Sequence, residues 1–165
     1  MHGVALLIGV ACLSGAGAVN ADLVRWRWTV RAQSCDNACA DESMALGKIV
    51  TCNAMRMKLV NSPSIGVLVN TAIAAQRGTT LSCYTFPAGF TGSAHAKAPY
   101  RWYGSCYYSS SGATTCSANN EGDERLCCCV TASEDSAALC PVSAADCSAG
   151  KTWDGATASC RPPST

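Results

Sequence analysis

Residues 125–130 read Arg-Leu-Cys-Cys-Cys-Val, and these three consecutive cysteines constrain the fold more than any other stretch of the chain. The stretch is typical of a short β-strand. Because side chains alternate along a strand, Cys127 and Cys129 should point to one face and Cys128 to the other. A disulfide between adjacent cysteines is strained, so we expect three separate partners for them.

The number of cysteines and the first residues of the chain predict a secreted disulfide scaffold. Cysteine makes up 13 of 165 residues, a proportion at which a short chain is typically a disulfide scaffold. Residues 4–13 are apolar and uncharged, and small residues follow, so we predict a signal peptide over residues 1–21 with cleavage after Ala18 or Ala21. This apolar run is shorter than the ~20 residues that span a bilayer, so we expect no transmembrane anchor.

Removal of the leader discards Cys12 and leaves an even set of cysteines in an oxidising, extracellular compartment. We therefore predict six disulfides and no free thiol. The predicted disulfide-bonded residues are Cys35, Cys39, Cys52, Cys83, Cys106, Cys116, Cys127, Cys128, Cys129, Cys140, Cys147 and Cys160.

The charge balance and the spacing of ligand-type residues exclude several functional classes. Twelve basic residues against eleven acidic ones give a net charge of +1, whereas nucleic-acid binding normally needs a basic face. We expect no metal and no cofactor, because paired Cys-x2-Cys motifs and a phosphate-binding glycine loop are missing. Residues 119–124 could supply oxygen ligands to calcium, but they lack the EF-hand spacing and are more typical of a polar turn.

Catalysis is not predicted either. His95 lies in a loop of small residues without a nucleophile motif. The acidic residues at 41–42 and at 121–124 are interpreted as solvated edges rather than as paired catalytic carboxylates. We therefore assign no catalytic residue.

Local patterns predict one strand and two helices in the first half. Val24 to Arg31 alternate between apolar residues and mostly arginine, which predicts a half-buried strand with an arginine face. Ser34 should cap a helix ending at Gly47, on which Cys35 and Cys39 share one face and can be bonded to two different neighbours.

The second helix is predicted from Pro63, after a Ser62 cap, to Arg77-Gly78, with a core stripe of five residues. The members of that stripe are Ile65, Leu68, Val69, Ala72 and Ile73.

Beyond Gly78 the chain becomes extended. We predict strands over Thr80–Phe86, Tyr103–Ser109 and Ala113–Ser117, with a hairpin turn at residues 109–112. The predicted fold class is α+β: a small disulfide-rich domain over residues 22–130, with two or three helices on a short antiparallel sheet. Residues 131–165 show little periodicity and form a cysteine-stapled C-terminal tail.

The cysteine pattern resembles a known module. Cys35-x3-Cys39, Cys52 before Leu59-Val60-Asn61-Ser62, and the ending Arg125-Leu126-Cys127-x-Cys129 carry the resemblance, together with Cys83, Cys106 and Cys116. The pattern is similar to the cysteine-rich region that closes family-18 glycosyltransferases of the N-acetylglucosaminyltransferase V type, and it spans residues 24 to 129. Similar modules occur in secreted and cell-surface proteins of unicellular algae and protists.

This sequence departs from the module at the long gap between Cys39 and Cys52 and at the extra Cys128. Because 165 residues are too few to contain the transferases' catalytic domain as well, we expect the resemblance to transfer no active-site residue. It implies that the eight matching cysteines form four bridges among themselves. Cys128, Cys140, Cys147 and Cys160 would then form two bridges that tie the tail on.

Aromatic residues suggest a binding surface. Eight of the eleven lie between Tyr84 and Tyr108. Sugar rings stack on indole and phenol, and a neighbouring arginine can bind hydroxyls. The candidate glycan-binding residues are Tyr100, Arg101, Trp102 and Tyr103. The alternative, favoured for most of these rings, is a core role, with Trp102 and Tyr103 the best candidates for exposure.

Taken together, the sequence predicts a secreted, non-catalytic module. We expect a structural or adhesive building block of an extracellular coat, matrix or filament. Its expected partners are extracellular glycans or glycoproteins, and copies of itself or other surface proteins. The alternatives are a stand-alone lectin-like protein and, more remotely, a secreted inhibitor or defence protein.

Overall fold

Helices packed on a mixed sheet form an α+β domain, as predicted. The computed structural model describes residues 25–77, 83, 90–119, 121–147, 149–154 and 159–163. The helices are α1 (Cys35–Leu46), α2 (Ala54–Lys58), α3 (Pro63–Arg77) and α4 (Ser136–Leu139), with a 3-10 turn at Ala144–Asp146. The strands are β1 (Trp26–Trp28), β2 (Thr51–Cys52), β3 (Phe90–Ser93), β4 (Tyr100–Trp102), β5 (Ser105–Ser109), β6 (Asp123–Val130), β7 (Thr152–Asp154) and β8 (Ser159–Arg161).

Strand β6, which contains the three cysteines, lies at the centre of the main sheet. β1 pairs antiparallel with one edge of β6, with Trp26 opposite Cys128. β4 and β2 pair with β6 as well, at its beginning and its end. The sheet order is β1-β6-β4-β5-β3, and β7 and β8 form a separate hairpin.

The sheet is not wholly antiparallel, and on this point the prediction was wrong. β3 runs parallel to β5, with Phe90 opposite Cys106. The chain reverses between β3 and β4 and again between β4 and β5, and β5 lies between the other two strands. Two reversals restore the original direction, so the neighbours β3 and β5 are parallel.

Helix α1 is bonded twice to β6. Ser34 caps the helix by accepting a hydrogen bond from the Asn37 N–H, and Gly47 ends it in the left-handed region, both as predicted. Cys35 bonds Cys127 and Cys39 bonds Cys129, so the expectation of two different neighbours was wrong. Four residues of helix advance about 6 Å and two residues of strand advance about 6.6 Å, so the two cysteine spacings match.

The helix at residues 63–77 was predicted correctly, and its apolar stripe forms part of the core. Ser62 Oγ accepts a hydrogen bond from the Ile65 N–H at 3.4 Å. Val69, Ala72 and Ile73 are buried in the same hydrophobic core as the β6 cysteines. Helix α2, which was not predicted, begins directly after its N-cap residue, Asn53.

Of two other predicted strands, one is shorter than expected and one lies mostly outside the described residues. β1 covers only Trp26–Trp28 of the strand predicted from Val24 to Arg31, and Val30 is exposed. Its arginine face meets carboxylates: Arg27 lies 2.6 Å from Glu42 of α1. The expected strand at Thr80–Phe86 falls, apart from Cys83, outside the described residues, as do the predicted leader and Val24.

The strand predicted over Ala113–Ser117 does not form. The guanidinium of buried Arg125 takes the backbone carbonyls of this segment as acceptors, among them Thr115 at 2.7 Å and Cys116 at 3.2 Å. It also binds the carbonyls of Ala118 and Lys97. Because these carbonyls bind one side chain, they are not available for the regular hydrogen bonds between β-strands. The turn at residues 109–112 is therefore not part of a β-hairpin.

The tail, residues 131–163, packs on the body of the domain, residues 25–130. The eight module cysteines pair among themselves, as Cys35–Cys127, Cys39–Cys129, Cys52–Cys116 and Cys83–Cys106. Cys128 bonds Cys140, which ties the tail to the body. Cys147 bonds Cys160 within the tail, so the expectation of two tying bridges was wrong, because the tail forms its own small hairpin around that disulfide.

Candidate functional site

The β4–β5 hairpin presents the best candidate surface, at its two-residue turn. Trp102 is paired with Ser105, and Tyr103 and Gly104 form the turn between them. Both turn residues have positive φ, 44° and 84°, as type I′ hairpin turns require. Tyrosine rarely occupies this region, so the hairpin holds a bulky ring at a position where asparagine or glycine is usual.

The four candidate glycan-binding residues are adjacent in sequence but differ in exposure. Tyr103 is 77% exposed and Trp102 is 45% exposed, and their rings meet edge to face at 5.2 Å. Tyr100 is only 5% exposed: it stacks on Tyr107 at 4.6 Å, with the Lys97 ammonium 4.4 Å from its ring. The surface therefore offers Trp102 and Tyr103, while Tyr100 supports the hairpin from inside.

A charged notch lies beside the exposed rings. It is lined by Arg31, Arg101, Tyr103, Gly104, Gly122 and Glu124. Glu124 lies between two guanidinium groups, with Arg101 Nη1 2.9 Å from one carboxylate oxygen and Arg31 Nε 3.8 Å from the other. The Nε of Arg101 is buried and has no partner among the described residues.

Arg31 and Glu124 were not recognised as site residues from the sequence. Arg31 was assigned only to the arginine face of the first strand, and Glu124 to a solvated edge. Residues 31 and 124 come together because the Ala32 N–H donates to the Asp123 carbonyl at 2.9 Å. A pairing between positions about ninety residues apart leaves no local signal in the sequence.

A disulfide and an ion pair lie beneath the site. Cys106 of β5 is bonded to Cys83. Lys97 Nζ lies 2.5 Å from the buried Asp123, which precedes Glu124. The interpretation of residues 121–124 as a solvated edge was thus wrong for Asp123 and Glu124, because both carboxylates face cations.

The candidate catalytic histidine and a cluster of metal-ligand type residues lie outside this surface. His95 is exposed in its loop, as the sequence indicated. Among the described residues, the one cluster of possible metal ligands is Asp36 with Cys52 and Cys116. Those two cysteines are disulfide-bonded, so the cluster keeps a single carboxylate.

In the part of the chain that the structure describes, no helix is both long enough and apolar enough to cross a membrane. The six disulfides fit an extracellular protein. No family model, no curated protein and no solved structure matches the chain.

Proposed function

We propose that this chain is a secreted, non-catalytic module that serves as a structural or adhesive building block of an extracellular coat, matrix or filament, and that it contacts glycans through Trp102 and Tyr103. The observation that carries the proposal is the exposure of two touching aromatic rings at the end of a hairpin. Adjacent exposed aromatic rings form a contiguous apolar patch, and such a patch supports a binding role.

The chemistry of the surface favours a saccharide as that partner. The C–H face of a sugar packs on an indole or phenol ring, and its hydroxyls need nearby donors and acceptors. Arg31 and Glu124 stand beside the rings and supply both. Because the hairpin is fixed by a disulfide and by the Tyr100–Tyr107 stack, the rings are positioned before binding.

The glycan contact is tested with variants that keep the hairpin intact. Tyr103→Gly removes the ring and creates a Gly-Gly pair, which suits a type I′ turn and introduces no Asn-x-Ser glycosylation site. Trp102→Thr removes the indole and keeps a residue that favours strands. Retention on immobilised glycans should fall about tenfold for each variant, since losing one aromatic contact costs about 1.4 kcal/mol or more.

The matched control is Ile49→Ala, at a side chain that is also strongly exposed but belongs to the segment before β2. Its retention should equal that of the unmodified chain. If Tyr103→Gly and Trp102→Thr both fold and retain glycans as well as the Ile49→Ala variant, the aromatic contact is refuted.

Assembly separates a building block from a stand-alone lectin. The near-neutral net charge gives copies little mutual repulsion, so the mature chain should form larger species as its concentration rises. Light scattering across a concentration series measures this. A chain that stays monomeric while binding glycans would favour the lectin-like alternative.

A further inference from the structure

We propose that the saccharide bound at Trp102 and Tyr103 is anionic, and that its carboxylate or sulfate group binds the guanidinium of Arg31 at the edge of the charged notch. This inference rests on the proposed function and names the ligand class of the same site. It follows from how the charges of the notch are distributed.

Two cations share one anion in the notch. Arg31 and Arg101 both face Glu124, each at a different carboxylate oxygen. The neighbouring Asp123 is already paired with Lys97 at 2.5 Å and adds no net charge. The residues that line the notch therefore carry a net positive charge of one.

Arg31 is the cation that remains free to bind. Its side chain is 67% exposed, and its Nε lies 3.8 Å from Glu124, beyond the hydrogen-bond range of about 2.7–3.2 Å. In the described part of the chain its two Nη groups have no partner. A guanidinium with free donors suits a planar carboxylate or a sulfate, which it can bind with two hydrogen bonds at once.

Arg31 is held next to the rings rather than on a loose loop. The Ala32 N–H donates to the Asp123 carbonyl, and the Asn119 side chain donates to the Ala32 carbonyl at 3.2 Å. These bonds hold residues 31 and 32 to the start of β6, which pairs with the strand carrying Trp102. A sugar ring stacked on the aromatic pair thus has a cation beside it.

Glu121 opposes this attraction. It is exposed in the turn next to Gly122, although it does not line the notch. Its carboxylate should repel an anionic saccharide and leave a neutral one unaffected. The Glu121→Gln change should therefore strengthen anionic binding, which is an effect that nonspecific loss of folding cannot imitate.

The test compares three saccharides with related rings: galactan, sulfated galactan and oligogalacturonate. The mature chain should retain the two anionic probes at least about tenfold more tightly than galactan at low salt, as one charge-assisted bond implies. The preference should shrink as salt is raised toward about 1 M, where the Debye length falls to about 3 Å. The stronger of the two anionic probes identifies a sulfate or a carboxylate as the group bound.

Arg31→Gln should abolish the preference and leave galactan binding unchanged. The matched control, Arg161→Gln, removes another exposed arginine that is paired with a carboxylate, on the tail hairpin, and should keep the preference. Equal, salt-insensitive retention of all three probes would overturn the anionic ligand and leave the proposed glycan contact standing. Retention of none of a broad set of glycans would overturn both.

Discussion

The disulfides of the body and those of the tail close loops of very different lengths. In the body, three of the four disulfides connect residues 92, 90 and 64 positions apart. Those that involve the tail span only 12 and 13 positions. The body is thus a fold whose distant elements are covalently closed, whereas the tail is locally cross-linked and reaches the body through one disulfide.

Polar contacts supply the rest of the attachment of the tail. Arg56 of the body donates to the Cys140 carbonyl at 2.7 Å and 3.1 Å and lies 2.9 Å from Asp146. The Trp26 indole N–H donates to the Pro141 carbonyl, and Arg25 lies 3.0 Å from Glu134. The body therefore depends on long disulfides, while the tail depends on arginines of the body as much as on disulfides.

The largest effect is expected from removing both disulfides between α1 and β6. Replacing Cys35, Cys39, Cys127 and Cys129 by alanine should cost about 5 kcal/mol or more, because either disulfide alone still closes the long loop in the unfolded chain and this loop opens only when both are removed. That is close to the whole stability of many small domains, so urea unfolding should show little folded protein.

The corresponding change in the tail, Cys147→Ala with Cys160→Ala, should cost about 3 kcal/mol or less, because the loop is short. The body should keep its cooperative urea transition in that variant. Equal losses in the body variant and the tail variant would show that the division into body and tail has no energetic meaning.

A smaller but still large effect is expected at Arg125. Burial lowers the pKa of Arg125 to about 10, although the charges of Asp36 and Asp123 act to raise it. The guanidinium stays protonated at neutral pH and binds several carbonyls around residues 115–118. Arg125→Met leaves those acceptors unpaired and should cost about 3 kcal/mol or more in the free energy of unfolding.

Arg56→Met is the matched change at the interface with the tail, and it should cost about 1 to 3 kcal/mol, since the Cys140 carbonyl loses the guanidinium donor and the Asp146 carboxylate loses its paired cation. Chemical denaturation of both variants provides the comparison. If Arg56→Met lowered the free energy of unfolding more than Arg125→Met does, the contact with the tail would contribute more to stability than the buried arginine of the body, contrary to this prediction.

Acid should loosen the tail before it unfolds the body. Burial acts to raise the pKa of Asp146, but hydrogen bonds from Arg56 and from the Val142 N–H, together with the Arg56 charge, outweigh it and lower the pKa. Burial likewise acts to raise the pKa of Glu134, but hydrogen bonds from Thr131 and Arg25 and the Arg25 charge lower it. A lowered folded-state pKa means that the stabilisation is present above the unfolded value near 4 and is lost as the pH falls through the folded value.

The hydrogen-exchange protection factors of residues 136–146, corrected for the intrinsic exchange rate at each pH, should therefore decrease as the pH falls below about 4, while the β6 amides stay protected. The Asp146→Asn variant should show faster exchange of the tail already at neutral pH and a weaker response to acid. Glu121→Gln, at an exposed carboxylate, is the control. An unchanged acid response in Asp146→Asn would contradict the role of the Arg56–Asp146 pair.

Local signals in the sequence were sufficient for α1 and α3, because a helix cap and an apolar stripe act within a few residues. Ser34, Ser62 and Pro63 are examples. The placement of segment 113–117 could not be predicted in this way. Its sequence suits a strand, yet the guanidinium of Arg125 captures its carbonyls, and nothing near position 114 indicates that a buried arginine will lie alongside.

The same difference between local signals and long-range contacts decides how much of the candidate site could be predicted. The aromatic cluster and the exposure of Trp102 and Tyr103 could be anticipated from composition, because a short hairpin cannot bury all of its rings. Arg31 could not be placed there, since its position depends on the pairing of the chain after β1 with the start of β6. Only a contact map of the whole domain contains that information.

The smallest effect is expected at the ion pair of the tail hairpin. Arg161 Nε lies 2.8 Å from Asp154, but the Arg161 side chain is 56% exposed, so solvent and salt screen the attraction. Arg161→Gln should change the free energy of unfolding by about 0.5 kcal/mol or less, measured by urea denaturation. Cys147–Cys160 closes the same hairpin. If Arg161→Gln lowered the free energy of unfolding as much as Arg56→Met does, the surface ion pair rather than this disulfide would be the main stabilising contact of the tail hairpin.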